Sequence, residues 1–220
     1  MNKVRVWDLP TRVFHWGPVL CFAGLVATGQ LGGEAMVWLF RFGYTALTLL
    51  LFRLVWGVSG GVWSRFSTFV TGPSHILRYL RGEGGARDSV GHNPLGALSV
   101  LALLAFALLQ VAAGLFSGDE IATAGPLAKM VSGSLVSFAT FYHTKVGKII
   151  LILLVVLHVA AIVFYRVKRE KNLVRPMLSG DKELAEPFAS SRDDAGSRAK
   201  ALLIFGICAG CVAALVQWVA

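Results

Sequence analysis

Residues 141–166 read FYHTKVGKIILILLVVLHVAAIVFYR. The run is long and apolar enough to cross a membrane, and it carries two histidines, His143 and His158, fifteen positions apart. Fifteen helical steps of about 100° bring them roughly 60° apart on one face and about 22 Å apart along the axis. That span approaches the thickness of a bilayer's hydrocarbon core. Neutral imidazole is a common iron ligand, and an ionisable group inside a membrane points by default to function. The segment therefore reads as a helix offering ligands at two depths, as electron carriers across membranes do.

The rest of the chain fits that reading. Of 220 residues, 55% are hydrophobic and 15% charged, and mean hydropathy is +0.66. A soluble domain of this size needs more surface charge. Five apolar stretches have or approach spanning length: 13–30, 36–58, 94–116, 141–165 and 201–220. Each is expected to be a helix, because lipid cannot satisfy open backbone groups. The fold class is an all-α membrane protein. The N-terminal MNKVRVWDLPTR, with Trp7, Asp8 and Pro10, does not read as a cleavable signal, and Pro10 suits the first turn of a helix.

A net charge of +9 raises nucleic acid as a partner, but the basic residues flank apolar runs and form no basic, aromatic-interleaved face. They act instead as topology signals. With the N-terminus in the cytoplasm, that side holds Lys3, Arg5, Arg12, Arg65, Arg78, Arg81, Arg87 and nine more from Arg166 to Lys200. The outer loops hold Lys129, with Arg41, Lys145 and Lys148 at helix ends, and Glu34, Asp119 and Glu120. The expectation is N-in, C-out. The polar segment 166–200, with Pro176 and Pro187, reads as a cytoplasmic connection, partly helical at most. Loop 59–93 is Gly-rich, with TGPSHILRYLRG as a short interfacial helix, and loop 116–140 is Gly/Ser-rich on the other side.

His15 and His158 fall on the cytoplasmic side of the midplane, His143 at the outer end of its helix, His92 at the cytoplasmic mouth of the third span, and His75 in a loop. His75 is read as a headgroup-region residue; His92 and His15 have the same plain reading available. His158, between VVL and VAA, needs a partner in hydrocarbon. Arg53, inside LLLFRLVWG, either snorkels to the cytoplasmic surface or pairs with an anion. Cys208 and Cys211 form a CxxC with no following histidine, so packing is the expected role. Gly206 and Gly210 form a GxxxG that allows close helix contact, including a homodimer.

Several motifs together resemble the bacterial cytochrome b561 family: VWDLPTRVFHW, RLVWGVSG, RFSTF, GHNPLGAL, HTKVGKIILILLVVLHVAAIVFY and KREKNLVRPMLSGDK. The nearest branch is the b-type cytochrome subunits of nickel–iron hydrogenases and relatives serving periplasmic c-type cytochromes. The resemblance covers residues 1–182. It implies a four-helix haem-binding domain over 1–182, leaving a cytoplasmic linker over 183–200 and an additional C-terminal transmembrane helix over 201–220. It further implies b haem held without covalent attachment, with the inner iron between His15 and His158. The outer iron would use His143 and a histidine early in the second helix. Here that position is Leu39, which cannot ligate iron. One haem at His15/His158, an outer haem with Met36 as second ligand, and a five-coordinate outer haem at His143 all stay open. Arg53 is a candidate partner for a haem propionate, and His92 matches a motif histidine outside the usual ligand set, near the haem or in quinone proton handling.

The resemblance implies an electron-transfer subunit of the bacterial cytoplasmic (inner) membrane, working between membrane quinone and a periplasmic c-type cytochrome or hydrogenase-like protein, rather than a stand-alone enzyme. The alternative is a haem-poor membrane anchor of a redox complex. A proton-relaying transporter is disfavoured, because no acidic residue lies within the first four apolar stretches.

Overall fold

The structure, a computed structural model, describes residues 1–118 and 123–219. Asp119 and Glu120, assigned above to an outer loop, lie outside the described residues, as does Ala220. The long helices are α1 (Leu9–Leu31), α2 (Met36–Ser59), α5 (Pro94–Phe116), α7 (Lys148–Lys168) and α9 (Ala195–Val219). Shorter ones are α3 (Phe66–Phe69), α4 (Pro73–Leu80), α6 (Gly133–Phe141) and α8 (Val174–Ser179).

Among the described residues, four helical spans are long and apolar enough to cross a membrane: Gly33–Ser59, Pro94–Phe116, Gly133–Lys168 and Ala195–Trp218. The expected fifth is not among them. Helix α1 is helical over 23 residues, but Thr11, Arg12, His15, Thr28 and Gln30 dilute its hydropathy. The apolar run that opened the sequence reading is longer than expected. It begins at Gly133, inside the segment read as a loop, and a π-helical turn, Tyr142–Gly147, joins α6 to α7.

The chain forms two compact units, and several long helices contribute to both. The first comprises residues 1–15, 52–102 and 157–204. It contains a feature absent from the all-α expectation, an antiparallel pair of strands, β1 (Asn2–Arg5) and β2 (Asp181–Leu184). Val4, Val6, Trp7, Trp63, Val90 and Leu184 form its buried cluster. Segment 183–193, expected to be a linker, packs closely here. Trp63 Nε1 donates to the Ala189 carbonyl at 2.8 Å, and Ser191 Oγ donates to the Val6 carbonyl at 3.0 Å.

Asp8 organises the start of α1. Its fully buried carboxylate accepts from the Thr11 N–H at 2.9 Å, the Gly61 N–H at 2.9 Å and Trp56 Nε1 at 3.2 Å. The first bond caps the helix, and Leu9–Pro10 fill the opening positions that suit proline. A side chain at Gly61 would collide with Asp8 Oδ2, so glycine is required at that approach. Helix α1 ends at Gly32 and Gly33, both at positive φ (63° and 53°), where a side chain would be strained.

The second unit comprises residues 16–51, 103–156 and 205–220. Close approach of α1 to α2 depends on Gly24, where an added Cβ would stand 2.6 Å from the Phe42 ring.

Candidate functional site

Two groups of predicted residues come together, one in each unit. In the first, His15 on α1 and His158 on α7 face each other with ring centroids 6.4 Å apart and planes inclined by 50°. A metal–imidazole bond of about 2 Å, plus about 1.2 Å from nitrogen to ring centre, would put two imidazoles on opposite sides of one metal ion about 6.4 Å apart by centroid. The observed spacing matches one metal ion between the two rings. The described residues hold no cluster of three or more His, Cys, Asp or Glu side chains placed to bind a metal. Two imidazoles at this spacing, without such a cluster, suit an iron whose remaining bonds come from a macrocycle.

Arg53 sits in the same unit. Of the two alternatives read from the sequence, snorkelling is excluded: Arg53 is only 3% exposed. Its guanidinium lies 4.7 Å from the Phe66 ring centre and 5.9 Å from that of Phe14, and Nη1 has no hydrogen-bond partner among the described residues. Gly57 permits this layer, since a side chain there would run into Phe66. A buried cation with an unsatisfied donor is costly, and the arrangement fits an anionic group such as a carboxylate approaching Nη1.

His92 is wedged between Trp7 and Phe69, each at 4.7 Å between ring centres. Burial, followed by the positive charge of Arg53, pushes its imidazole down to about 3, so the ring is neutral at physiological pH. Its Nδ1 is buried and has no partner among the described residues. A cleft of about 350 Å³ joins His92 to Trp63, Phe69, His75, Arg87 and Asp88. His75, read from the sequence as a headgroup-region residue, is paired with Asp88 at 2.8 Å. Beside it, Asn93 Nδ2 donates to Tyr165 Oη at 2.9 Å, and its Oδ1 accepts the Gly96 N–H at 2.7 Å.

In the second unit, His143 lies in the π turn and lines a cavity of about 350 Å³ with Met36, Leu39, Gly43, Gln110 and Gly114. Its Nδ1 is 2.9 Å from the Gln110 carbonyl. A carbonyl only accepts, so Nδ1 carries the proton and Nε2 keeps its lone pair, the arrangement of metal-binding histidines. His143 is the one imidazole among the described residues lining this cavity, and Met36 supplies its sulfur. Leu39 faces the same space, so the position where a second imidazole was expected is in place but carries an apolar side chain. The described lining offers one imidazole, not two.

Cys208 and Cys211 are free thiols, Cys208 buried and Cys211 exposed. Among the described residues, Gly206 and Gly210 have no neighbouring atom within 4 Å of an added Cβ.

Sequence reasoning missed Asp8, the His75–Asp88 pair and Gln110. The DLP triplet is a helix-start signal that could have revealed Asp8. Gln110 is a single amide in the apolar run LALLAFALLQVAAGLF, and its polarity was the available clue.

The chain matches the family described as prokaryotic cytochrome b561 over residues 6–180. Two curated relatives, the probable Ni/Fe-hydrogenase 1 B-type cytochrome subunits of Escherichia coli K12 and Escherichia coli O157:H7, are each 27% identical over 136 residues. The match covers 50% of this chain and 57% of each relative. No solved structure matches.

Proposed function

This chain belongs to the prokaryotic cytochrome b561 family, whose members are multi-pass membrane b-type cytochromes, and from that premise we propose that it moves electrons between membrane quinone and a redox protein on the outer face. The observation that carries this reading is the 6.4 Å opposition of His15 and His158. In this reading the two imidazoles would ligate one b haem, and Arg53 would hold a propionate. Bound there, the haem supplies one-electron oxidation and reduction with little rearrangement of its ligands. At the outer cavity His143 would be the single imidazole ligand, with Met36 the other residue able to hold a metal there.

The cleft beside His92 supports the quinone part. Trp63 and Phe69 offer flat apolar walls, His92 a neutral ring nitrogen, and His75–Asp88 a pair able to exchange protons. The relatives' names point to a hydrogenase-like partner; a periplasmic c-type cytochrome is the other candidate. In this reading the membrane is the bacterial cytoplasmic one, and α1 is counted as a fifth crossing, so that the Lys/Arg bias supports an inside N-terminus and an outside C-terminus. The haem domain spans 1–182, with α9 as an addition.

The test is anaerobic mixing of the purified protein with a soluble quinol. The reading expects the reduced α-band to appear at the amplitude dithionite gives, with His75→Ala slowing its appearance tenfold or more. Reduction by dithionite alone would remove quinol from the proposal.

A further inference from the structure

Gln110 holds His143 by two contacts, one from its backbone and one from its side chain. Its backbone carbonyl accepts the imidazole Nδ1–H at 2.9 Å, and its side-chain Nε2 donates to the His143 carbonyl at 2.9 Å. The second contact falls on the π turn Tyr142–Gly147. In such a turn backbone bonds run from i to i+5, which widens the helix, and such turns cluster at functional sites.

Two glycines make room for the pair, one on each side. Gly114 follows Gln110 by one helical turn, on the same face of α5. A Cβ there would stand 2.8 Å from His143 Cε1 and 3.1 Å from Nδ1. Gly147 closes the π turn, and a Cβ there would collide with Gln110 Oε1 and lie 2.7 Å from Tyr142 Cε1. Gln110 Oε1 is buried without a partner among the described residues. The amide is therefore not placed to satisfy its own polar atoms; its orientation serves the His143 carbonyl.

We propose that Gln110 is a positioning residue: its double contact with His143 braces the π turn, fixes the imidazole with Nδ1 protonated and leaves Nε2 as the ligating atom of the outer cavity. This rests on the reading of His143 as the outer ligand. Without the amide the turn relaxes, the bond from Nδ1–H to the Gln110 carbonyl lengthens, and the ring becomes a weaker base toward a metal.

The test uses full-length, detergent-solubilised protein and the Gln110→Met variant, which keeps length and removes the donor. Haem content of the wild type and of His143→Ala is measured first. If His143→Ala lowers haem content, the readout is the midpoint potential of the His143-dependent centre. The proposal expects it to shift upward in Gln110→Met while the His15/His158 centre stays fixed. If His143→Ala leaves haem content unchanged, the outer-ligand reading fails, and the brace itself is read by nitrogen-15 NMR of labelled histidine. The wild type is then expected to hold His143 in the Nδ1–H form, and Gln110→Met to populate the Nε2–H form at least severalfold more. Gly114→Ala, which presses on the ring without touching the amide, is expected to move the same signal. An unmoved potential in the first case, or an unmoved tautomer in the second, overturns the proposal.

Discussion

Leu39 on α2 and His143 in the π turn line the same cavity. The outer site therefore keeps one imidazole with a fixed proton position and presents a hydrocarbon side chain where a second ligand would close it.

Leu39→His supplies the missing nitrogen with little change in bulk. It is expected to add one bis-imidazole, low-spin centre per chain in electron paramagnetic resonance spectra of the oxidised protein. A spectrum identical to wild type, from a variant with unchanged melting, would count against a haem-sized outer site.

Arg53 yields a prediction that depends on haem. In haem-free protein, Arg53→Met removes a buried charge with an unsatisfied donor but also its attraction to the buried Asp8, so the two effects oppose and melting is expected to change little. In haem-loaded protein the same change is expected to weaken retention tenfold or more, and Arg53→Lys not to restore it, because a point charge lacks the guanidinium fork. Thermal melts and haem transfer to apomyoglobin read the two effects. Equal changes in both states would leave Arg53 a packing residue.

Asp8→Ala strands three buried donors, the N–H groups of Thr11 and Gly61 and the Trp56 indole. Unsatisfied groups cost about 1–3 kcal/mol each, partly relieved by water, so a loss of about 3–5 kcal/mol is expected. A small shift in melting temperature would show that the region rearranges cheaply.

Asp193 gives a pH dependence. Burial pushes its carboxyl up, but hydrogen bonds from Arg198 and the Leu9 N–H, with the nearby arginine charges, outweigh this and hold it below the usual range. A depressed folded value means the unfolded chain binds the proton more tightly. The stabilisation is complete above the ordinary carboxylate value of about 4 and is lost as pH falls through the lower folded value. Asp193→Asn is expected to flatten the melting-temperature curve in that acidic window. An unchanged slope would assign acid sensitivity to other carboxylates.

The parts of this fold visible in sequence are those governed by lipid. Helices α2 and α5 fall within a residue of the stretches 36–58 and 94–116, because an apolar run facing hydrocarbon is readable without knowing its neighbours. The start of the Gly133–Lys168 span was hidden by Gly133, Ser134 and Ser137, residues that mark loops in water. Strand β1 has four residues, and its partner lies nearly the whole chain away, so no local pattern announces it. His15, His143 and His158 were legible because each stands at the end or in the body of an apolar segment. That His15 and His158 meet is a tertiary fact, expected from the family resemblance and seen only in the packed structure. The brace on His143 was illegible, because it depends on a π turn and two glycines whose purpose appears only when α5 and the turn are side by side.

The most direct measurement is the bis-imidazole signal and the haem-to-protein ratio of the purified wild type beside His15→Ala, His158→Ala and His92→Ala. Either ligand variant is expected to remove one low-spin bis-imidazole centre per chain, and His92→Ala to retain it. A wild type that binds no haem when haem is ample, or a full signal in His158→Ala, would contradict this expectation.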